Sequence, residues 1–570
     1  MENSYYFDRN LLALSQKNPE LCSRLSGAET TLNRYKFLES RSGEVIPAWV
    51  DSLGAAHPLH SIMDPKREAK RLIESMKNEG FLVLLGLGGG YYAEAALEQN
   101  ETEMVLAVEY DINGLAELLC HRNYAHLFGD PRFRLLADAG EEELEQQILN
   151  MYQPVLYGGI KVIPLRSRTS LDTKPFTSAG NAIERAIDKI SADYSVQAYF
   201  GNRWFSNIIR NLGPAGEFQE TLPPISKAAV TAAGPSLSLQ IGRLREKRKE
   251  FFLIAADTSL PCLLNEGIKP DAVISIDCQH ISYYHFMDGL PPETFLFLDL
   301  ASPPLLASLS QKRQFFSGGH PLTRYISKYY RSLPELDTSG GNVTYAAISL
   351  AEQLGAREIE LYGADFSYPE GISYARGTYI YSYFGNRQNR FSSLEAQISA
   401  FLFRNRLEKI IRANSWYYES KALRFYRENL EEKSARMETS IIPVDGLGAP
   451  IAIRNRDAKT GEDRFKPRQK NLKLFSSGKP LVDAEEFLRQ YRNEILMLPK
   501  PGINAVDYLK SLKTNGQSVF TTILPAAAAI KRRSNIGNFR DLLEETKIYC
   551  LEEINTVLSL CKGNGGISHK

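Results

Sequence analysis

Residues 338 to 374 hold the side chains whose types and spacing best suit chemistry. Thr338-Ser339-Gly340-Gly341-Asn342 opens a helix, and the following apolar run ends in Gly363, Asp365, Tyr368 and Tyr374. Small residues at 339–341 admit a ligand to the backbone, and the free amides of a helix N-terminus attract anions, phosphate above all. An acid and two tyrosine hydroxyls at the next strand end suit the rest of a nucleotide. Four more loops carry polar residues in similar settings: Gly234-Pro235-Ser236, Asp257-Thr258-Ser259, Asp277-Cys278-Gln279-His280 and Ser317-Gly318-Gly319-His320. Ser236 stands at a helix N-cap, where its hydroxyl and the first amides would face an anion. His280 and His320 are able to accept a proton near neutral pH, and Asp277 and Asp365 are the carboxylates for the same task. A serine that only caps, or a loop histidine bonded only to backbone, has the same appearance in sequence.

These loops need a frame. Between 226 and 365 the strings KAAVTAA, FFLIAAD, AVISID, TFLFLDL, QFFSG and EIELYGAD read as strands, with helices such as 237–247 and 342–354 between them. Apolar runs alternating with helices predict a parallel sheet with helices on both faces. All five loops then fall at the carboxyl ends of strands, where open α/β sheets bind ligands. A second series starts at Phe81, where a strand runs into Gly86-Leu87-Gly88-Gly89-Gly90, and Glu109 and Asp138 end the next two strands. Glycines for a tight turn and an acid for a ribose diol are the logic of dinucleotide and S-adenosylmethionine sites, although bare packing geometry produces the same turn.

The division predicted is a cap over 1–75, with a helix at 11–24, and a Rossmann-like N-terminal domain over 76–165. A helical linker follows over 166–222, a catalytic domain over 223–395 and a helical domain over 396–570, which includes a helix from 394 to 421 and a charged loop at 457–470. The fold class is α/β: two Rossmann-like parallel-sheet domains followed by an all-α C-terminal domain. With 68 basic and 67 acidic residues the net charge is +1, so no global field draws nucleic acid or an anionic membrane. No apolar run approaches the roughly 20 residues that span a bilayer. Six scattered cysteines without a Cys-x-x-Cys pair read as buried thiols of a cytoplasmic protein. No His/Cys/Asp/Glu cluster has metal-ligand spacing, and His57 and His60 read as structural. Oligomeric state is left open.

Several ordered strings carry a family resemblance: LHSIMDPKREAKRLIE from Leu59, GLGGGYYAEAAL, NRWFSNIIRNL from Asn202, AAGPSL, ADTSLPCLLNEGIKPDAVISID and TSGGNVTYAAISLAEQLGAREIELYGADFSY. Over about 40–390 the chain resembles the motility-associated factor (Maf) flagellin glycosyltransferases, whose central module is similar to bacterial sialyltransferases. The resemblance implies a cytoplasmic enzyme that moves a nonulosonic, sialic-acid-like sugar from its CMP-activated form to Ser or Thr of flagellin, without a metal ion. It places Gly234, Ser236 and Asp257 along the cytidine-ribose side. Ser339 and Gly340 lie near the base or phosphate, Tyr368 and Tyr374 on the leaving phosphate, and Thr258 and Gly363 are further binding residues. Two departures stand out. Sialyltransferases have asparagine where this chain has Ala233, and a histidine base after the second tyrosine where this chain has none. The alternatives are a pterin-type diphosphokinase using magnesium, an S-adenosylmethionine-dependent methyltransferase at Gly86–Gly90, and a non-catalytic factor that binds flagellin.

Overall fold

Short apolar runs bounded by glycine and polar loops become parallel strands in the computed structural model of the chain, because strands covered on both faces need no polar alternation. The structure describes residues 2–564 except 31, 52, 77–78, 218–221, 413–414, 456–478, 502–504, 535 and 537. The loop expected at 457–470 lies outside the described residues. The chain forms two compact units.

The first unit comprises residues 1–201, 497–517 and 527–547. It opens with an antiparallel meander of β1 (Tyr35–Glu39), β2 (Val45–Val50) and β3 (Ala56–Pro58). A parallel sheet follows from β4 (Phe81–Leu85), β5 (Met104–Glu109), β6 (Phe133–Ala137) and β7 (Ile160–Pro164), in the order β6-β5-β4-β7. Every residue of β4 and β5 is buried. The helix expected at 11–24 is two helices, Glu2–Ser15 and Pro19–Ser26. The break falls at Asn18, whose side chain accepts from Leu21 N, and Pro19 fits only a first helical turn.

The second unit comprises residues 202–496, 518–526 and 548–570. Its seven-stranded parallel sheet contains β8 (Lys227–Thr231), β9 (Phe252–Ala256), β10 (Ala272–Ser275), β11 (Phe295–Asp299), β12 (Arg313–Phe316) and β13 (Glu358–Tyr362). A small antiparallel sheet comprises β14 (Tyr368–Pro369), β15 (Glu408–Ile411) and β16 (Trp416–Glu419), and β17 (Ser440–Pro443) completes the large one. The large sheet has the order β12-β11-β10-β9-β8-β13-β17. Helix Val343–Gln353 packs on β8, β9 and β10 through the buried Ala346, Ala347, Leu350 and Ala351.

Three of these strands fall in the segment read as all-α. The helix expected over 394–421 stops at Leu402, and β15 and β16 form a hairpin before helix Lys421–Ser434. Trp416-Tyr417-Tyr418-Glu419 alternates in burial, as a half-covered strand does, and β17 is a four-residue edge strand too short to show a period. Ala484–Met497, Thr514–Ser534 and Phe539–Asn564 are helices. No helix among the described residues is long and apolar enough to cross a membrane.

Candidate active site

From β8 the chain winds outward through β9 to β12, then returns to place β13 on the other side of β8. The strand order therefore reverses between β8 and β13, and the loops leaving these two strands diverge around a crevice. Both loops are tied together. Gly234 N donates to Gly363 O at 2.9 Å, and Ser236 N donates to Asp365 Oδ2 at 2.8 Å. The Ser236 hydroxyl donates to Asp365 Oδ1 and accepts from Leu447 N. A Cβ on Gly234 would stand 2.3 Å from Asp365 Oδ2, and one on Gly363 (φ +62°) would stand 2.5 Å from Ala232 O. Both glycines thus serve the chain's own loop crossing.

Ser236 is the first residue of its helix rather than the N-cap, and the anion at that helix start is Asp365 of the same chain. Burial pushes the Asp365 carboxyl up, and its hydrogen bonds from Ser236 pull it back. Asp257 is engaged in a similar way. It is buried, Oδ1 accepts from Thr258 N and Oγ1, and Oδ2 accepts from Ser275 Oγ at 2.6 Å.

The crevice holds a cavity of about 230 Å³. Gly234, Thr258, Gly363, Asp365, Tyr368 and Tyr374 line it, as do Ser373 and the helix start Asn342-Val343-Thr344. The Asn342 side chain accepts from Tyr345 N, while the first amides, Val343 and Thr344, have no intrahelical acceptor. Ser373 is 4% exposed, and its hydroxyl is buried without a hydrogen-bond partner. Such an atom in a cavity wall points to a ligand, because an unmet buried hydroxyl costs about 1–3 kcal/mol. Burial raises the Tyr368 and Tyr374 hydroxyls, Tyr374 strongly, so both are protonated donors at neutral pH.

Ser339 and Gly340 lie off this wall. The Ser339 hydroxyl donates to Asp337 and accepts from Lys433 Nζ, and a Cβ on Gly340 would strike the Tyr345 ring at 2.2 Å. Asp337 is held down at about 2: burial pushes it up, and bonds from Ser339, Tyr345 and Lys433 outweigh that. Asp277 accepts from Gln279 N and Nε2; burial raises its carboxyl, the Asp257 charge adds to this, and His285 opposes it. His280 is exposed. His320 packs against Trp204 with its ring tilted by 46° and the ring centroids 4.5 Å apart, and its Nε2 lies 3.9 Å from Asp299 Oδ1. No cluster of three or more His, Cys, Asp or Glu among the described residues is arranged to hold a metal ion.

The chain is 32% identical over 161 residues to an uncharacterized protein of Treponema pallidum (strain Nichols), spanning 28% of this chain and 77% of that protein. It belongs to the same family as that protein. A second uncharacterized T. pallidum protein is 34% identical over 152 residues, or 26% of this chain and 54% of the other. Residues 202–371 match the family described as 6-hydroxymethylpterin diphosphokinase MptE-like, a domain found in Maf proteins. The solved structure of MAf glycosyltransferase from Magnetospirillum magneticum AMB-1 aligns over 98% of this chain and 95% of its own, with a TM-score of 0.59 and 13% identity. The chain has the Maf glycosyltransferase fold.

Within the Maf fold, the second glycine loop is filled by the chain itself. Gly89 N donates to His60 Nε2 at 2.9 Å, and a Cβ on Gly88 would lie 2.5 Å from Leu165 Cδ2 and 2.7 Å from His60 Nε2. Glu109, the acid suited to a ribose, pairs with Arg168 at 2.9 Å, both side chains fully enclosed. No residue pattern signals these fillers, because Arg168 is 59 positions from Glu109 and lies in a Ser/Thr/Arg-rich stretch. Ser373, Leu423 and Tyr426 of the cavity wall were also missed, as was His285, which is buried with its ring edge-on to Tyr379 at 4.6 Å. Ser373 adjoins Tyr374, and the two-tyrosine spacing was the available signal. For Leu423 and Tyr426 there was none, since they come from a helix far along the chain.

Proposed function

We propose that the protein transfers a nonulosonic, sialic-acid-like sugar from its CMP-activated form to Ser or Thr hydroxyls of flagellin, in the cytoplasm, as a step in making motile flagella. One observation carries this reading: a cavity at the strand-order reversal whose wall combines the first amides of a helix, two tyrosines and the unmet hydroxyl of Ser373. When the bond between sugar and phosphate breaks, negative charge gathers on the departing CMP phosphate. The amides of Val343 and Thr344 and the hydroxyls of Tyr368 and Tyr374 stabilise that charge where it develops. The acceptor hydroxyl attacks the anomeric carbon and gives its proton to a base. The candidates for that proton are Asp277, His280, His320 and Asp365, of which Asp365 lines the cavity and already accepts from Ser236.

The MptE-like match favours a diphosphokinase as the second reading. That chemistry needs magnesium at acids such as Asp257 and Asp277, and Asp257 already has both oxygens engaged by Thr258 and Ser275. Asp277 likewise already accepts from Gln279.

Calorimetric titration of the full chain with CMP, beside the Tyr368→Phe, Tyr374→Phe double variant, tests the proposal. CMP binding that the double variant weakens supports it. Silence with CMP and heat with S-adenosylmethionine would move the ligand site away from this cavity and sink the proposal.

A further inference from the structure

Helix Tyr379–Gly385 buries only Ile380, and helix Leu394–Leu402, although mostly apolar, buries only Leu402. Phe384 of the first meets Phe401 of the second, with ring centroids 5.9 Å apart. In the same stretch of chain Phe391, Phe403 and Ile411 are exposed. Apolar side chains left uncovered beside two half-covered helices mark an interaction surface. The stretch is also basic. Residues 379–412 hold Arg387, Arg390, Arg404, Arg406, Lys409 and Arg412 against Glu395 and Glu408, in a chain whose net charge is +1. All six cations are exposed, and none forms an ion pair with a described acid, while Glu408 is taken by Arg424. Four of them sit on rings: Arg387 lies 3.5 Å from the Tyr383 centroid, Arg404 4.1 Å from Phe401, Lys409 4.4 Å from Trp416 and Arg412 5.6 Å from Tyr417. A cation so placed is held by the ring face and keeps its remaining N–H groups for an anion.

This surface borders the cavity at two places. The Phe401 ring lies 6.4 Å from that of Tyr374 in the cavity wall. Arg412 lines a neighbouring groove of about 360 Å³, whose wall includes Ala364 and Asp365, and both of these also line the cavity. We propose that the surface docks an acidic, partly apolar polypeptide segment and so presents the acceptor hydroxyl to the cavity. The arginines take its carboxylates, and Phe391, Phe403 and Ile411 take its apolar side chains. Single-stranded nucleic acid would need open ring faces on which to stack its bases, and cations already occupy a face of Tyr383, Phe401 and Trp416. The acceptor role rests on the sugar-transfer reading above; the preference for an acidic polypeptide rests on the surface alone.

Fluorescence anisotropy of the full-length protein tests this with three labelled probes: a short peptide of Asp, Glu, Leu, Ser and Thr, the same peptide with Lys for every acid, and an oligouridylate of matching length. The acidic peptide is expected to bind roughly tenfold tighter than the basic one, and to weaken as salt is raised. Arg387→Gln, Arg404→Gln and Arg412→Gln together should weaken it about tenfold, with CMP affinity and the melting curve unchanged. Lys at the same three positions keeps the charge without the fork and should recover part of that loss. Two peptides bound alike, or a Gln variant that binds the acidic peptide as well as the unaltered protein does, overturns the surface and leaves the donor reading standing wherever CMP still binds. A Gln variant that loses CMP to the same degree overturns it too. Tighter binding of the oligouridylate than of the acidic peptide assigns the surface to nucleic acid and overturns the proposal. Acidic peptide held through these arginines by a protein that ignores CMP supports the docking surface and refutes the transfer reading.

Discussion

His60 closes the glycine loop of the first unit, and its titration provides a direct measure of that closure. The ring is fully enclosed, Nε2 accepts from Gly89 N, and burial, helped by the Arg122 charge, pushes the imidazole from its ordinary 6.5 down to about 3. Above pH 6.5 the folded and unfolded chains both hold a neutral ring. As pH falls below 6.5 the unfolded chain takes up a proton that the folded chain refuses, so stability is lost progressively toward pH 3. Each pH unit in that window is worth about 1.4 kcal/mol, so acidifying from pH 7 to pH 5 costs about 2 kcal/mol through this group alone. His60→Gln keeps an acceptor within reach of Gly89 and does not titrate. Urea unfolding followed by circular dichroism at pH 7 and pH 5, for both proteins, isolates the contribution. The unaltered protein should lose about 2 kcal/mol more than the variant over that interval. Equal losses in the two proteins would refute the reasoning and reopen the loop as a ligand site.

Three further outcomes follow from the cavity and its supports. Gly234→Ala drives a methyl into Asp365 and Gly363 O and should destabilise the protein by about 1–3 kcal/mol, read as a fall in melting temperature. Ser236→Ala removes one donor from the buried Asp365 and leaves Leu447 N without its acceptor, a loss of about 1–3 kcal/mol. Because burial already holds Asp365 above the ordinary carboxylate value, its ionisation opposes folding as pH climbs past that value, and the variant's stability should fall more steeply with pH. The Tyr368→Phe, Tyr374→Phe pair should slow sugar transfer roughly 100-fold with an unchanged melting curve, measured by mass shift of the acceptor; an unchanged rate would remove the tyrosines from the chemistry.

Both parallel sheets were legible in the sequence because a strand buried on both faces must be apolar throughout, as Leu253-Ile254-Ala255-Ala256 is. The placement of the loops at strand ends followed, and so did the membership of Thr258, Tyr368 and Tyr374 in one cavity wall. Local signals also fixed the helix that starts at Asn342, whose side chain caps it in the structure. What residue types left undecided was which polar groups face a ligand and which face the protein. Ser236, Asp257 and Asp365 look like ligand groups in sequence, and each is satisfied by a neighbour 18 to 129 positions away. Glu109 meets Arg168, and His60 meets Gly89, for the same reason: a buried polar atom takes its partner from whatever the fold brings within 3 Å, and sequence separation does not encode that distance. Sequence alone therefore determined the layered α/β frame and the edge on which the site lies. Only the tertiary structure decided that the Ser373 hydroxyl stays buried without a protein partner in the wall it shares with Val343, Thr344 and the two tyrosines, because that depends on what the fold brings within reach.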